Sequence, residues 1–150
     1  MPQSLASNLI HLIYSTKDRR PILTPAIRPS LFAYKAGILR DWESHALSIG
    51  GESDHVHILF ALNKNYALKK IVEEVKKSSS KWMKTQAPPS PAFSWQNGYA
   101  AFSVSQSLAP KIKKYIESQE EHHRELSFKE ELRRFLERHN IEYDERYLWD

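Results

Sequence analysis

The residues best suited to chemistry are two histidines astride one valine, His55 and His57, in the run DHVHILFAL. Side chains alternate along a strand, so both imidazoles project from one face with Cβ atoms ~7 Å apart, close enough to converge on one cation. Val56, Ile58 and Phe60 then point the other way, toward a core. Counted alone the spacing is weak. With His 7 in 150 residues, a His-x-His pair is expected about 0.3 times by chance, and two half-exposed imidazoles on an open sheet face fit it equally well. A second group adds weight. In KIKKYIESQEEHHR, Tyr115 and Gln119 are four positions apart and His122 is three further on. On one continuous helix they present a phenol, an amide and an imidazole along one stripe.

Composition narrows what these groups can do. The chain has no cysteine, so disulfides and thiolate sites are excluded, and any metal must be held by imidazole, carboxylate or amide oxygen. The first twenty residues carry no basic region leading into an apolar segment, and no apolar run is long enough to span a bilayer. The reading is a soluble, cytoplasmic protein. Net charge is +4 but unevenly spread: residues 1–116 carry 16 Lys and Arg against 7 Asp and Glu, and residues 117–150 carry 6 against 11. A basic body with an acidic tail suits a polyanionic partner such as nucleic acid, although ordinary solvated lysines give the same balance.

The elements that must position these residues follow from periodicity. SNLIHLIYS reads as a strand, and Thr24-Pro25 opens a helix to about His45. LSIGGES and HVHILFAL form a hairpin, with Gly50 and Gly51 admitting a close backbone approach. From an Asn65 cap, Leu68, Ile71, Val72, Val75 and Trp82 recur at helical spacing among many lysines. QAPPSPAFSW, with Pro88, Pro89 and Pro91, reads as a loop before a strand around GYAAFSVS. Ser107 and Pro110 open a helix through about Arg124, and Ser127 with Glu130 caps a last helix ending near Asn140. The tail IEYDERYLWD is aromatic enough to pack on its own body or on a neighbouring subunit. The order β-α-β-β-α-β plus two helices predicts an α+β, ferredoxin-like sandwich: an antiparallel sheet with helices on one face, followed by a tyrosine-bearing helix and a further short one.

With HLIYSTKDRRP, SDHVHILF, KKIVEEVKKSSSKW, WQNGYAAFSVS, YIESQEEHHR and the ending YDERYLW together, nearly the whole chain resembles the small single-tyrosine HUH transposases of bacterial insertion sequences. These are the IS200-like transposases, with their relatives tied to repetitive extragenic palindromes. His-Val-His on a strand, followed about sixty residues later by Tyr-x-x-x-Gln, carries the specificity. The resemblance implies a single domain over residues 1–150, in which His55, His57 and Gln119 bind the metal and Tyr115 is the nucleophile. His122 and His123 take no role from it. It implies Mg²⁺ or Mn²⁺ without a nucleotide cofactor, and nitrogen ligands favour Mn²⁺. It further implies single-stranded DNA with hairpin ends as substrate, a 5′-phosphotyrosine intermediate followed by strand transfer, and a homodimer that commonly exchanges its tyrosine helices. The proline-rich loop and the SQSLAP segment would permit such an exchange.

Lys17, Arg19, Arg20, Lys69, Lys70, Lys76, Lys77, Lys81 and Lys84 are the candidate phosphate contacts, and Trp82, Trp95 and Tyr99 the candidate stacking platforms. Three rival readings stand beside this one. A domesticated relative would grip hairpin DNA without cutting it. A two-histidine phosphoesterase would need two His-x-Thr/Ser motifs, which HLI, HVH and HIL do not supply. A Zn²⁺ hydrolase would add Glu52 or Asp54 to the histidine pair, with Asp54 poorly placed because adjacent strand residues face opposite sides.

Overall fold

Four stretches of alternating or β-branched sequence pair into one antiparallel sheet in the computed structural model, which describes residues 2–86, 92–123 and 126–150, and the backbone alone of His122. The strands are β1 (Leu9–Ser15), β2 (Ala46–Gly51), β3 (His55–Ala61) and β4 (Ala100–Val104), in the spatial order β2-β3-β1-β4. With α1 (Arg28–Asp41) after β1 and α2 (Leu68–Lys84) after β3, this is the ferredoxin-like arrangement expected from the order of elements. The loop reading at Pro88, Pro89 and Pro91 lies outside the described residues.

The two faces of the sheet have different occupants, as the period of two requires. Leu12, Tyr14, Val56, Ile58 and Phe60 point toward α1 and α2 and meet Leu31, Leu39, Ile71, Val72, Val75 and Met83 in the larger core. Each such side chain, when fully buried, contributes about 1.5–3 kcal/mol. Lys35 is fully buried in this core, where its Nζ donates to Tyr14 Oη at 2.5 Å and lies 4.0 Å from the centre of the Trp95 ring. Burial pulls its pKa well below the ordinary lysine value.

The opposite face receives the C-terminal helices α3 (Ala109–Glu117), α4 (Gln119–His122) and α5 (Phe128–Arg138). Ala109 and Ile116 pack on Leu9 and Leu59, while Phe128, Leu132, Phe135 and Leu136 pack on Ile13 and Phe102. The helices therefore cover both faces, two on one side and the C-terminal group on the other.

Several boundaries differ from expectation. Thr24 to Ile27 form a turn in which Ile27 N–H donates to the Thr24 carbonyl at 3.1 Å, and α1 starts only at Arg28. It ends at Asp41 rather than near His45, because Glu43 adopts a left-handed φ of 52° and Ser44 N–H closes on the Leu39 carbonyl at 2.9 Å. Asn65 does not cap α2; Ala67 stands at that position. Ser107 likewise bonds Ser105 Oγ at 3.1 Å instead of capping α3. Ser127 caps α5 as expected, accepting from Glu130 N–H at 3.2 Å. The tail packs on its own body: Gly98 N–H donates to the Asp150 carbonyl at 2.8 Å, and Trp149 lies 6.2 Å from the Phe128 ring centre.

Candidate metal centre and tyrosine

β1 and β3 set the floor of the site. His57 is paired with Ile13 and His55 with Ser15, so both imidazoles rise from the face opposite the larger core, where both are buried. His11, two residues before Ile13, rises from the same face and brings its Nε2 to 2.8 Å from His57 Nδ1. At His55 the equivalent role falls to Asp54, whose Oδ1 lies 2.7 Å from Nδ1. An Nδ1 held this way leaves Nε2 as the nitrogen that faces the site.

The ceiling comes from α3, α4 and α5. Tyr115 sits in α3 and Gln119 opens α4, so the single continuous helix expected for the pair is broken, although both side chains reach Glu131 Oε2. Ser118 interrupts the helix at φ −106° and ψ 24°, and its hydroxyl donates back to the Lys114 carbonyl at 2.9 Å. The break turns Gln119 inward: its Oε1 lies 3.0 Å from both His55 Nε2 and His123 Nε2. His122, expected along the same stripe, has no described side chain.

Glu131 of α5 is the residue that the sequence reading missed. It is 1% exposed, and its Oε1 lies 2.9 Å from His57 Nε2, 3.2 Å from His123 Nε2 and 3.5 Å from His55 Nε2. Its Oε2 accepts from the Tyr115 hydroxyl and, at 3.3 Å, from Gln119 Nε2. One carboxylate thus joins the tyrosine to the histidines of the same chain, and the Tyr115 and His57 ring centres are 5.9 Å apart. Phe128 stacks on His55 at 4.4 Å, and Phe135 stands edge-on to His11 at 5.1 Å, which keeps water from the imidazoles.

The electrostatics match this geometry. Burial alone would raise Glu131, but the His57 charge and bonds from His123, His55 and His57 hold its pKa far below the ordinary carboxylate value. Burial opposes protonation of His55, yet its bonds to Asp54 and Glu131 prevail and push its pKa up to about 9. His57 is lowered, with burial outweighing the Glu131 charge. Tyr115 is raised by burial and by the Glu131 carboxylate, so its phenol is neutral. The donor set fits a divalent cation: ligand atoms of His55, His57 and Glu131 lie within 4.8 Å of one another, and imidazole nitrogens with carboxylate and amide oxygens suit Mn²⁺ and its neighbours. Glu52 bonds Arg28 Nη1 at 2.9 Å and Asp54 meets only the outer nitrogen of His55, so neither supplies the extra carboxylate of a Zn²⁺ hydrolase.

The candidate DNA contacts separate into groups. Lys69, Lys70, Lys77, Lys81 and Lys84 are exposed along α2, on the far side of the sheet from the histidines, and Lys17 and Arg20 are exposed before α1. Lys76 is instead committed inward, its Nζ donating to the carbonyls of Gln96, Asn97 and Gly98 at 2.6, 3.0 and 2.9 Å. Arg19 lies over the Trp149 ring at 5.5 Å. Trp95 is a core residue whose Nε1 donates to Ser79 at 3.0 Å, which removes it as a stacking platform. Trp82 stacks on Tyr34 at 5.3 Å, and Tyr99 is exposed. Beside Tyr115, Arg134 and Arg138 of α5 line a cavity of about 150 Å³ together with Leu126, Glu131 and Phe135.

Comparison with known proteins agrees with the fold. The family model described as "Transposase IS200 like" matches residues 4–119, a span that ends at Gln119 and leaves α5 beyond it. A protein of Deinococcus radiodurans R1 with a provisional assignment as a transposase shares 23% identity with this chain. That match covers 79% of this chain and 98% of the other, with a TM-score of 0.63. A REP-associated tyrosine transposase bound to a REP hairpin shares 13% identity, covering 79% and 70% of the two chains, with a TM-score of 0.58. No curated protein matches the chain.

Proposed function

The chain belongs to the IS200-like transposase family, and on that premise we propose that it cleaves and rejoins single-stranded DNA at hairpin-bearing ends, with Tyr115 as nucleophile. The observation that carries this reading is the shared carboxylate: Glu131 accepts the Tyr115 hydroxyl on one oxygen and faces His57 Nε2 at 2.9 Å with the other. A phenol beside imidazoles that could hold a cation is an arrangement suited to nucleophilic attack on a phosphodiester.

In the proposed reaction the Tyr115 oxygen attacks the scissile phosphorus and the P–O3′ bond breaks. The phenolic proton passes by way of Glu131, its nearest acceptor, and water to the departing oxygen, which becomes a free 3′-hydroxyl. The DNA remains attached through a 5′-phosphotyrosine. Because the new ester keeps the energy of the old one, attack by another 3′-hydroxyl returns the proton and the tyrosine and needs no nucleotide cofactor. His55, His57, Gln119 and Glu131 would hold Mg²⁺ or Mn²⁺, which when bound draws charge from the phosphate oxygens. Arg134 and Arg138 border the cavity at Tyr115 and are placed to meet the phosphate through charge-assisted hydrogen bonds.

The exposed lysines of α2, with Lys17 and Arg20, are the proposed contacts for the DNA backbone. A neighbour of the same fold is bound to a REP hairpin, which supports a hairpin as the partner here. With one such tyrosine per chain and two ends to cut, the working unit we propose is a homodimer, acting in the cytoplasm on the bacterial chromosome. The test is incubation of hairpin-bearing single-stranded DNA with Mg²⁺ or Mn²⁺, followed by denaturing electrophoresis. A denaturation-resistant adduct is expected with the native chain and none with Tyr115→Phe. An adduct that persists in Tyr115→Phe refutes the nucleophile, and hairpin binding with no adduct identifies a binding protein instead.

A further inference from the structure

A third imidazole, that of His123, faces the same carboxylate oxygen as His55 and His57. His123 follows α4, its side chain is 8% exposed, and its Nε2 lies 3.2 Å from Glu131 Oε1, within the range spanned by His57 at 2.9 Å and His55 at 3.5 Å. Its ring centre is 4.5 Å from that of His55, and its Nε2 and the His55 Nε2 are each 3.0 Å from the same Gln119 Oε1. A packing or solvent-facing histidine has no reason to share Glu131 with both of the others and Gln119 with His55. All three Nε2 atoms face the one oxygen, Glu131 Oε1, at 2.9–3.5 Å.

We propose that His123 is a metal ligand, joining His55, His57, Gln119 and Glu131 in a site whose three imidazoles make it selective for Mn²⁺, Co²⁺ or Zn²⁺ over Mg²⁺. The inference rests on the reading that a divalent cation binds here, and it adds the ligand that decides which one. Mg²⁺ prefers an all-oxygen shell and keeps its waters, whereas each added imidazole favours the later first-row ions. The backbone continues past the Ser118 break into α4, and His123, just beyond it, faces the same carboxylate as Tyr115 and Gln119.

The test uses untagged full-length protein without DNA. Co²⁺ is titrated by its visible ligand-field bands, which no thiolate obscures because the chain has no cysteine, and Mn²⁺ and Mg²⁺ are titrated by calorimetry. His123→Ala should weaken Mn²⁺ and Co²⁺ by more than ~10-fold and shift the Co²⁺ bands, with Mg²⁺ changed by less than ~3-fold. His45→Ala, at an exposed histidine before β2, should leave all three unchanged. Unaltered Co²⁺ bands and Mn²⁺ affinity in His123→Ala overturn the proposal, and so does equal weakening of Mg²⁺ and Mn²⁺, which marks a structural effect. If His123→Ala melts far below the native chain, the same titrations on His123→Asn decide. A native chain that forms the DNA adduct while His123→Ala binds metal normally refutes His123 and leaves the transposase reading intact. A His123-dependent Co²⁺ site in a chain that never forms an adduct does the reverse.

Discussion

A metal-binding imidazole has to offer one unprotonated nitrogen, so the group that bonds its other nitrogen decides whether it can. For His55 that group is Asp54, and for His57 it is His11, buried at 1% exposure between the Phe102 and Phe135 rings. With Glu131 opposite Nε2, His57 carries its proton there and receives one from His11 at Nδ1. Binding a cation at Nε2 reverses both roles, and His11 must then accept from Nδ1. A leucine at position 11 keeps the volume and loses this exchange. His11→Leu is therefore expected to fold and to bind Mn²⁺ about 10–100-fold more weakly, as measured by calorimetry, with partial recovery in His11→Gln. Native affinity in His11→Leu would refute this role. That His55 and His57 share one face was legible from strand alternation, and Tyr115 with Gln119 was needed to make the pair specific. His11 was not legible, because its partner lies across a strand register that one sequence does not reveal. Glu131 carried a signal that went unread: it falls three residues after Phe128 and four before Phe135, which puts a carboxylate on the apolar stripe of α5.

Among the elements, α3 rests directly on the sheet, and the contact depends on a missing side chain. A Cβ at Gly50 would meet the Ile116 carbonyl oxygen at 2.3 Å and Ile116 Cγ2 at 2.9 Å. The close approach anticipated at the glycine pair is thus real, and what approaches is the helix carrying the tyrosine, next to Tyr115 itself. Gly50→Ala must push α3 off β2, at a cost of about 1–3 kcal/mol. A displacement near 1 Å at a reacting atom is worth about 100-fold in rate, so adduct formation by Gly50→Ala should fall at least ~10-fold while hairpin binding, through lysines on the opposite face, is kept. An unchanged single-turnover rate alongside a lowered melting temperature would show that α3 does not position the nucleophile. The order of strands and helices was readable because each apolar period is long and bounded by turns. The caps at Asn65 and Ser107 were not, since the neighbouring Asn63 and Ser105 engage Asn65 and Ser107 themselves. The break at Ser118 was hidden for a related reason: a serine inside a helical pattern reads as neutral until its hydroxyl takes the preceding turn's carbonyl.

At the scale of the whole molecule, the sheet divides two tasks. One face carries the lysines of α2 and the other the imidazoles and Tyr115, so a strand gripped by α2 has to pass an edge of the sheet to be cut. The resemblance to single-tyrosine transposases leaves open whether each tyrosine serves its own subunit or its partner's. Within one chain, Tyr115 already reaches Glu131, Gln119 lies under the same carboxylate, and Ile116 is seated on Gly50. Exchanging α3 between subunits would break the Tyr115 and Ile116 contacts at once and remake them across the dimer. The contacts therefore favour a tyrosine that acts on the metal of its own chain. Co-expression of Tyr115→Phe with His57→Ala separates the alternatives, because a mixed dimer then has no chain with both groups intact. If the tyrosine acts within its own chain, the mixture forms no adduct. If the helices are exchanged, half of the dimers are mixed under random pairing and each regains one of two sites, giving about a quarter of the native adduct. Adduct at that level would show that α3 leaves its own sheet in the working dimer, and that the Gly50 contact is then made between subunits.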